Sequence, residues 1–278
     1  MKTGVFLSHI NKIVEQDDAK SLDEALHSLA DKGLECVDVD GANIGLKYNI
    51  EALKKSFDGS GISTSSIFYW ASFEWKDKNA ISVFKEETKR QIEYCAYLGT
   101  DIFMPVPNVP TKHSDERERI ECQKIIIEYL NETAVLSKEY GVKTVIENYS
   151  KYDNPYSKSE DFEVIFKNTL DVDFVLDTGN FWFCNDNFLD VYEKYHNITK
   201  HVHLKDIIPN ENGFLNINGK SADSNDVGSG IIDFPELFKK LKKYEYEGAV
   251  SIEMCNTENM INKVVKSLEY VNNLKNNL

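Results

Sequence analysis

Eight short runs rich in β-branched and aromatic residues alternate with longer amphipathic runs along the whole chain, and this rhythm constrains the fold more than any other feature. The strand-like runs fall at 4–10, 34–40, 66–73, 101–107, 143–149, 173–179, 201–206 and 248–254. Helical periodicity is expected at 17–32, 47–57, 79–98, 115–140, 158–169, 187–196, 235–244 and 258–276. A strand-then-helix unit repeated eight times leaves few right-handed parallel arrangements. An α/β fold of the closed (β/α)8 TIM-barrel kind fits both the count and the length of 278 residues. The rival open sheet of the dinucleotide-binding kind needs a GxGxxG turn after the first strand, and the sequence has none there. No Pro/Gly/Ser-rich linker divides the chain, so 1–278 reads as one barrel domain.

Local signals support the alternation. Ile120, Ile127, Leu130 and Ala134 recur at helical spacing between Glu and Lys residues, and Gly141 follows as a C-cap before the next strand. Gly33 and Gly99 punctuate in the same way. The longest irregular stretch is 207–234, which contains Asp-Val-Gly-Ser-Gly at 226–230. In a barrel it would lie on the C-terminal face, where active sites are built.

Composition excludes several classes of function. The chain carries 46 acidic against 32 basic side chains, a net charge of −14, which opposes binding to nucleic-acid phosphates. No apolar run approaches the length of a spanning helix, and the opening MKTGVFLSHINK lacks a signal-peptide core, so no membrane association is expected. Five scattered cysteines without a CxxC pair suit reduced thiols in a cytoplasmic protein.

The residues that carry chemistry sit where the predicted strands end. Glu147 closes TVIE, Asp177 closes FVLD, His203 lies in HVHLKD and Glu253 closes VSIE, on the fifth to eighth strands in succession. Carboxylates at the mouth of a buried barrel are costly unless paired or bound to metal. Three carboxylates and one imidazole suit a single divalent ion, Mn²⁺, Mg²⁺, Co²⁺ or Zn²⁺. Each residue alone has a plainer reading, and Asp177 before Thr-Gly is also a turn former. Their recurrence on four successive strands favours the metal centre.

VIEN (145–148), LDTGN (176–180), HVHLKD (201–206), VGSGIIDF (227–234) and SIE (251–253) resemble the signature segments of the sugar phosphate isomerase/epimerase group, the xylose isomerase-like TIM barrels. That group includes ketose 3-epimerases, inosose isomerases and dehydratases, and hydroxypyruvate isomerases. The resemblance implies that Glu147, Asp177, His203 and Glu253 are the metal ligands, and that Glu147 and Glu253 are also the catalytic acid and base. It further implies a small-molecule carbohydrate substrate, and it is compatible with a homo-oligomer. Two departures from the ketose 3-epimerases stand out. The third position after the ligand aspartate is Asn180 rather than histidine, and no arginine follows closely after His203.

The chemistry expected of such a centre is proton abstraction next to a carbonyl through a metal-stabilised enediolate, giving isomerisation or epimerisation. The alternatives are a dehydratase of the inosose or dehydroshikimate type on the same barrel, and a non-catalytic sugar- or metal-binding barrel. A repair endonuclease of the related barrel group would need more than the six histidines present. Asn180 and Lys205 are expected to touch substrate, the alternative for Lys205 being a salt bridge with a neighbouring carboxylate. Trp70, Trp75 and Trp182 either wall a sugar pocket or, for at least one of them, pack beneath loops; His9 at the end of the first strand and His113 after the fourth either reach the pocket or are structural or exposed; and 226–230 could offer backbone N–H groups to a phosphate.

Overall fold

The computed structural model describes residues 1–72, 80–108, 116–255 and 258–277. The strands are β1 (Lys2–Phe6), β2 (Cys36–Asp40), β3 (Ser63–Ser72), β4 (Ile102–Asn108), β5 (Lys143–Glu147), β6 (Val172–Asp177), β7 (Thr199–Leu204), β8 (Asp206–Leu215), β9 (Ser221–Asn225) and β10 (Ala249–Ile252). All but β8 and β9 close into a parallel barrel in the order β1-β10-β7-β6-β5-β4-β3-β2. β8 and β9 form an antiparallel hairpin of their own. The helices are α1 (Leu7–Glu15), α2 (Leu22–Ala30), α3 (Ile50–Ser60), α4 (Ala80–Leu98), α5 (Glu116–Glu139), α6 (Ser159–Asn168), α7 (Asn180–Cys184), α8 (Phe188–Tyr195), α9 (Phe234–Lys243) and α10 (Met260–Asn276). The expected eight-stranded TIM barrel is therefore present.

Strand alternation divides the core in two. Ile146, Phe174, Leu176, Val202, Leu204, Val250 and Ile252 belong to the large cluster that packs the strands against the helices. Their neighbours one residue away point into the barrel. There Phe6, Phe68, Met104, Val106, Val145 and Val175 form a separate apolar cluster. The remaining interior is polar: Asp38, Ser66, His201, His203 and Ser251 are all buried. The barrel thus has a greasy half and a charged half, and the expected site residues border the charged one.

α9 shows how sequence fixes a helix. Phe234, Leu237, Phe238 and Leu241 recur at helical spacing and are buried, each burial stabilising by about 1.5–3 kcal/mol. The Asp233 side chain accepts the Glu236 N–H at 3.0 Å, Pro235 sits in the first turn, and Lys240, Lys242 and Lys243 lie in the last.

Four expectations need correction. The run 4–10 is not all strand, because β1 passes into α1 at Leu7 with Phe6 as a cap that makes no side-chain hydrogen bond. No turn residue marks that junction, while Leu7, Ile10 and Ile13 bury one helical face. The helix expected over 17–32 is correspondingly shorter, as α2. The stretch 207–234 is not irregular throughout, since the β8–β9 hairpin occupies it as far as Asn225. In α5 the buried face runs through Cys122, Ile126, Leu130, Ala134 and Ser137, and Ile120 is exposed. Gly33, Gly99 and Gly141 do punctuate helix ends, each with a left-handed φ.

Candidate metal centre and active site

β5, β6, β7 and β10 are consecutive around the barrel, so the four strand-end residues lie on adjoining staves. They do not share one rung. Asp177 pairs in register with His203, whereas Glu147 pairs with Val175, two residues earlier. Ser251 pairs with His203, which puts Glu253 one pleat higher. Strand stagger in a closed barrel tilts the row, and the side chains still converge. One ligand-type atom from each of Glu147, Asp177, His203 and Glu253 lies within 4.8 Å of every other.

The turn after β6 gives Asp177 two separate jobs. Its Oδ1 accepts the N–H groups of Gly179 (2.8 Å) and Asn180 (2.7 Å), closing the turn that opens α7. Its Oδ2 is buried and turned to the cluster, where it meets the Lys205 ammonium. Gly179 is required by close approach, because a Cβ there would stand 2.7 Å from Lys205 Cγ and 2.9 Å from its carbonyl oxygen. Thr178 Oγ1 accepts the Lys205 N–H and donates to the Lys205 carbonyl oxygen, both at 2.9 Å, tying the end of β6 to that of β7.

Lys205 lies in the cluster. Its Nζ is 2.8 Å from Asp177 Oδ2, 2.8 Å from Glu253 Oε1 and 2.9 Å from Asn180 Oδ1. Asn180 in turn donates to the Asn148 carbonyl oxygen at 2.8 Å, and Asn148 Oδ1 accepts the Asp177 N–H at 3.3 Å. Burial disfavours the Lys205 ammonium, but Asp177, Glu253 and Glu147 outweigh it and hold the group protonated well above its usual range. Burial lifts Asp177 to about 6, with Glu253 adding and Lys205 opposing. Burial alone would depress His203, yet contact with Glu147, backed by Asp38 and Glu253, raises it to about 9. His203 Nδ1 contacts Glu147 Oε1 and lies 3.5 Å from Glu253 Oε2.

The donor set fits a divalent cation. Among the described residues Glu253 Oε2 is buried without a hydrogen-bond partner, and Asp177 Oδ2 meets only the Lys205 ammonium. Three carboxylates outnumber the single lysine, and an unpaired carboxylate buried among them is expensive. Oxygen-rich ligation with one imidazole suits Mg²⁺, Mn²⁺, Co²⁺ or Zn²⁺.

Beside this cluster opens a cavity of about 450 Å³. Lys205 and Asn180 line it, as does the exposed Cys255. Tyr152, Phe183 and, from the β8–β9 hairpin, Phe214 and Leu215 make an apolar wall. Sequence reasoning missed this wall because the hairpin read as loop. The expected aromatic wall is different: Trp182 packs edge-on against Phe183 under the hairpin, and Trp70 meets Tyr149 edge-on at 6.1 Å. Neither lines this cavity. Trp75 and His113 lie outside the described residues. His9 belongs to α1 rather than to a strand end, is buried, and its Nε2 accepts the Met254 N–H at 3.1 Å.

The phosphate expectation for 226–230 does not hold in this form. Asp206 Oδ2 accepts the Gly228 and Gly230 N–H groups at 2.9 and 2.7 Å, and its Oδ1 accepts those of Ile207 and Ile232. A carboxylate of the chain itself fills the anion position. Sequence reasoning also passed over Asp38 and Asn148, both buried beside the cluster.

The model of the family described as "Xylose isomerase-like TIM barrel" matches residues 14–274. An inosose dehydratase of Clostridium perfringens is 27% identical over 240 residues, covering 77% of each chain. Among solved structures, the IOLI protein with a binding zinc atom superposes with a TM-score of 0.75 at 19% identity, covering 99% of this chain and 96% of that one. The D-psicose 3-epimerase of Clostridium cellulolyticum H10, solved with D-tagatose, gives 0.75 at 15% identity, with 99% and 98% coverage. At these identities the structural likeness is one of fold.

Proposed function

Because the chain belongs to the xylose isomerase-like TIM-barrel family, we propose that it is a divalent-metal-dependent enzyme acting next to a carbonyl, and that it removes water from a cyclitol ketone of the inosose type. The cluster of Glu147, Asp177, His203 and Glu253 within 4.8 Å carries the metal-dependent part of this reading. The similarity to inosose dehydratases favours elimination over the isomerisation or epimerisation expected first. The two departures from the ketose 3-epimerases, at Asn180 and after His203, agree with that choice.

A divalent ion held by those four side chains would supply Lewis acidity at the ketone oxygen. Glu147 and Glu253 approach His203 Nδ1 from separate strands and serve as base and acid. One carboxylate takes the proton from the carbon beside the carbonyl. The neighbouring carbon–oxygen bond breaks as a carbon–carbon double bond forms, and the hydroxyl leaves as water with a proton from the other. Lys205, held protonated and fixed in direction by Asn180, lines the cavity and presents its positive charge to a substrate oxygen there. The wall formed by Phe214 and Leu215 meets the C–H face of the ring and limits water around the charged end.

The test is incubation of metal-loaded protein with a panel of inososes and ketoses in D₂O. Loss of the mass of one water, with a conjugated-ketone absorbance, is the expected result for one inosose. Deuterium uptake without water loss would replace the dehydratase reading by an epimerase or isomerase. Neither change with any compound would overturn the enzymatic reading.

A further inference from the structure

Asp38 lies on β2, outside the four-residue cluster, and is completely buried. Its two oxygens are treated very differently. Oδ1 accepts the hydroxyls of Ser65 (2.9 Å) and Ser66 (2.5 Å), and His201 Nε2 lies 3.0 Å away. A bulge between β2 and β3 makes this arrangement, because the register jumps from Val37↔Thr64 to Asp38↔Ser66 and brings two successive serines to one carboxylate. Among the described residues Oδ2 has no donor in hydrogen-bond geometry, and the Ser251 hydroxyl also stabilises the carboxylate. The group facing it, 4.0 Å away, is His203 Nε2, which is also buried and unpartnered. The other nitrogen of that ring, Nδ1, is the one turned to Glu147 and Glu253. Phe6 and His201 each meet the His203 ring nearly edge-on with centroids 4.9 Å apart, which holds its plane.

We propose that Asp38 is a positioning residue for the metal centre: its free Oδ2 takes the proton-bearing Nε2 of His203, so that Nδ1 presents its lone pair to the cation. A neutral imidazole carries one N–H, and a carboxylate on one side decides which nitrogen bears it. Nδ1 contacts Glu147, and the 4.0 Å between Nε2 and Oδ2 is longer than a hydrogen bond. With a cation held at Nδ1, the ring's one proton would sit on Nε2, the nitrogen that faces Asp38 Oδ2. The serines and His201 pin Oδ1 so that the carboxylate is aimed beforehand. The inference rests on the metal-centre reading of the cluster, and adds to it a buried carboxylate on the far side of the His203 ring.

The experiment is Co²⁺ titration of the full chain, followed by the visible absorbance of the bound ion, in wild type and Asp38→Asn. The isosteric change keeps the shape while removing the charge, and is expected to weaken Co²⁺ binding by about 10- to 100-fold. Equal Co²⁺ affinity in both proteins would overturn the proposal while leaving the metal centre intact. Absence of Co²⁺ binding in wild type would instead remove the metal centre and the proposal with it. Should Asp38→Asn fail to fold, the wild type decides alone. Nitrogen NMR of histidine-labelled, Zn²⁺-loaded protein is expected to show His203 protonated at Nε2, and a proton at Nδ1 would overturn the assignment.

Discussion

Lys205 Nζ stands 2.8 Å from Asp177 Oδ2 and at the same distance from Glu253 Oε1, so one ammonium bridges two carboxylates at the mouth of the barrel. It neutralises part of the charge that a cation would otherwise meet, and it competes with the cation for the same oxygens. Lys205→Met should therefore split two properties. Metal-free protein should lose about 3–5 kcal/mol of stability, because two buried carboxylates lose their partner. Metal should bind at least as tightly as in wild type and restore most of the loss, while turnover falls by about a hundredfold or more. Chemical denaturation with and without Mn²⁺, beside initial rates, checks all three. Weaker metal binding in the variant would contradict this account.

The pH dependence of the metal-free chain has a definite sign. His203 and Asp177 have folded-state values raised, to about 9 and about 6, so the stability they contribute is full below their ordinary values and is lost as pH rises. His9 is depressed to about 4 by burial, so its contribution is present above its ordinary value and is lost on acidification. Between pH 6.5 and 9 the melting temperature of the metal-free chain should fall. The increment from added Mn²⁺ should grow over the same interval, since the ligands must shed protons to bind. Calorimetry at a series of pH values tests this, and an increment independent of pH would sink it.

Phe214 and Leu215 are largely exposed, at 64% and 60%, yet they wall the cavity. Phe214→Ala should raise KM about five- to tenfold, a loss of roughly 1 kcal/mol of ground-state binding. It should leave kcat nearly unchanged and stability within about 0.5 kcal/mol. A fall in kcat with unchanged KM would place the hairpin in the chemical step instead.

Asp206 holds four backbone N–H groups around the 226–230 loop. Asp206→Ala should destabilise the chain by about 3 kcal/mol or more, since buried donors lose their acceptor. Inorganic phosphate should bind the wild type no better than chloride does, measured by thermal shift. Phosphate stabilisation of the wild type would restore the loop as an anion site.

The barrel was legible because its evidence is repetitive: seven of the expected strand runs overlap the observed β2–β7 and β10, with ends displaced by up to three residues. β1 and α1 were fused in the reading, since Phe6-Leu7 offers no punctuation. The four cluster residues were legible because strand ends on one barrel face must converge. What stayed hidden depends on contacts across the barrel. Asp38 looks like any acidic residue in Val-Asp-Val-Asp until the bulge at Ser65 and the ring of His203 are placed around it. The two halves of 207–234 escaped for a related reason. The hairpin is polar and asparagine-rich on its strands, and the loop after it is organised by Asp206 from outside its own sequence.

Asp177 has a consequence beyond its own contacts. One of its oxygens builds the turn into α7 and the other faces the charged cluster, from a single short side chain. A longer acid would move both oxygens together, and an amide would keep the turn but surrender the charge. Selection acting on folding and selection acting on chemistry therefore meet at the same carboxylate, and a lineage that abandoned the reaction would still be held to aspartate or asparagine here by the turn alone.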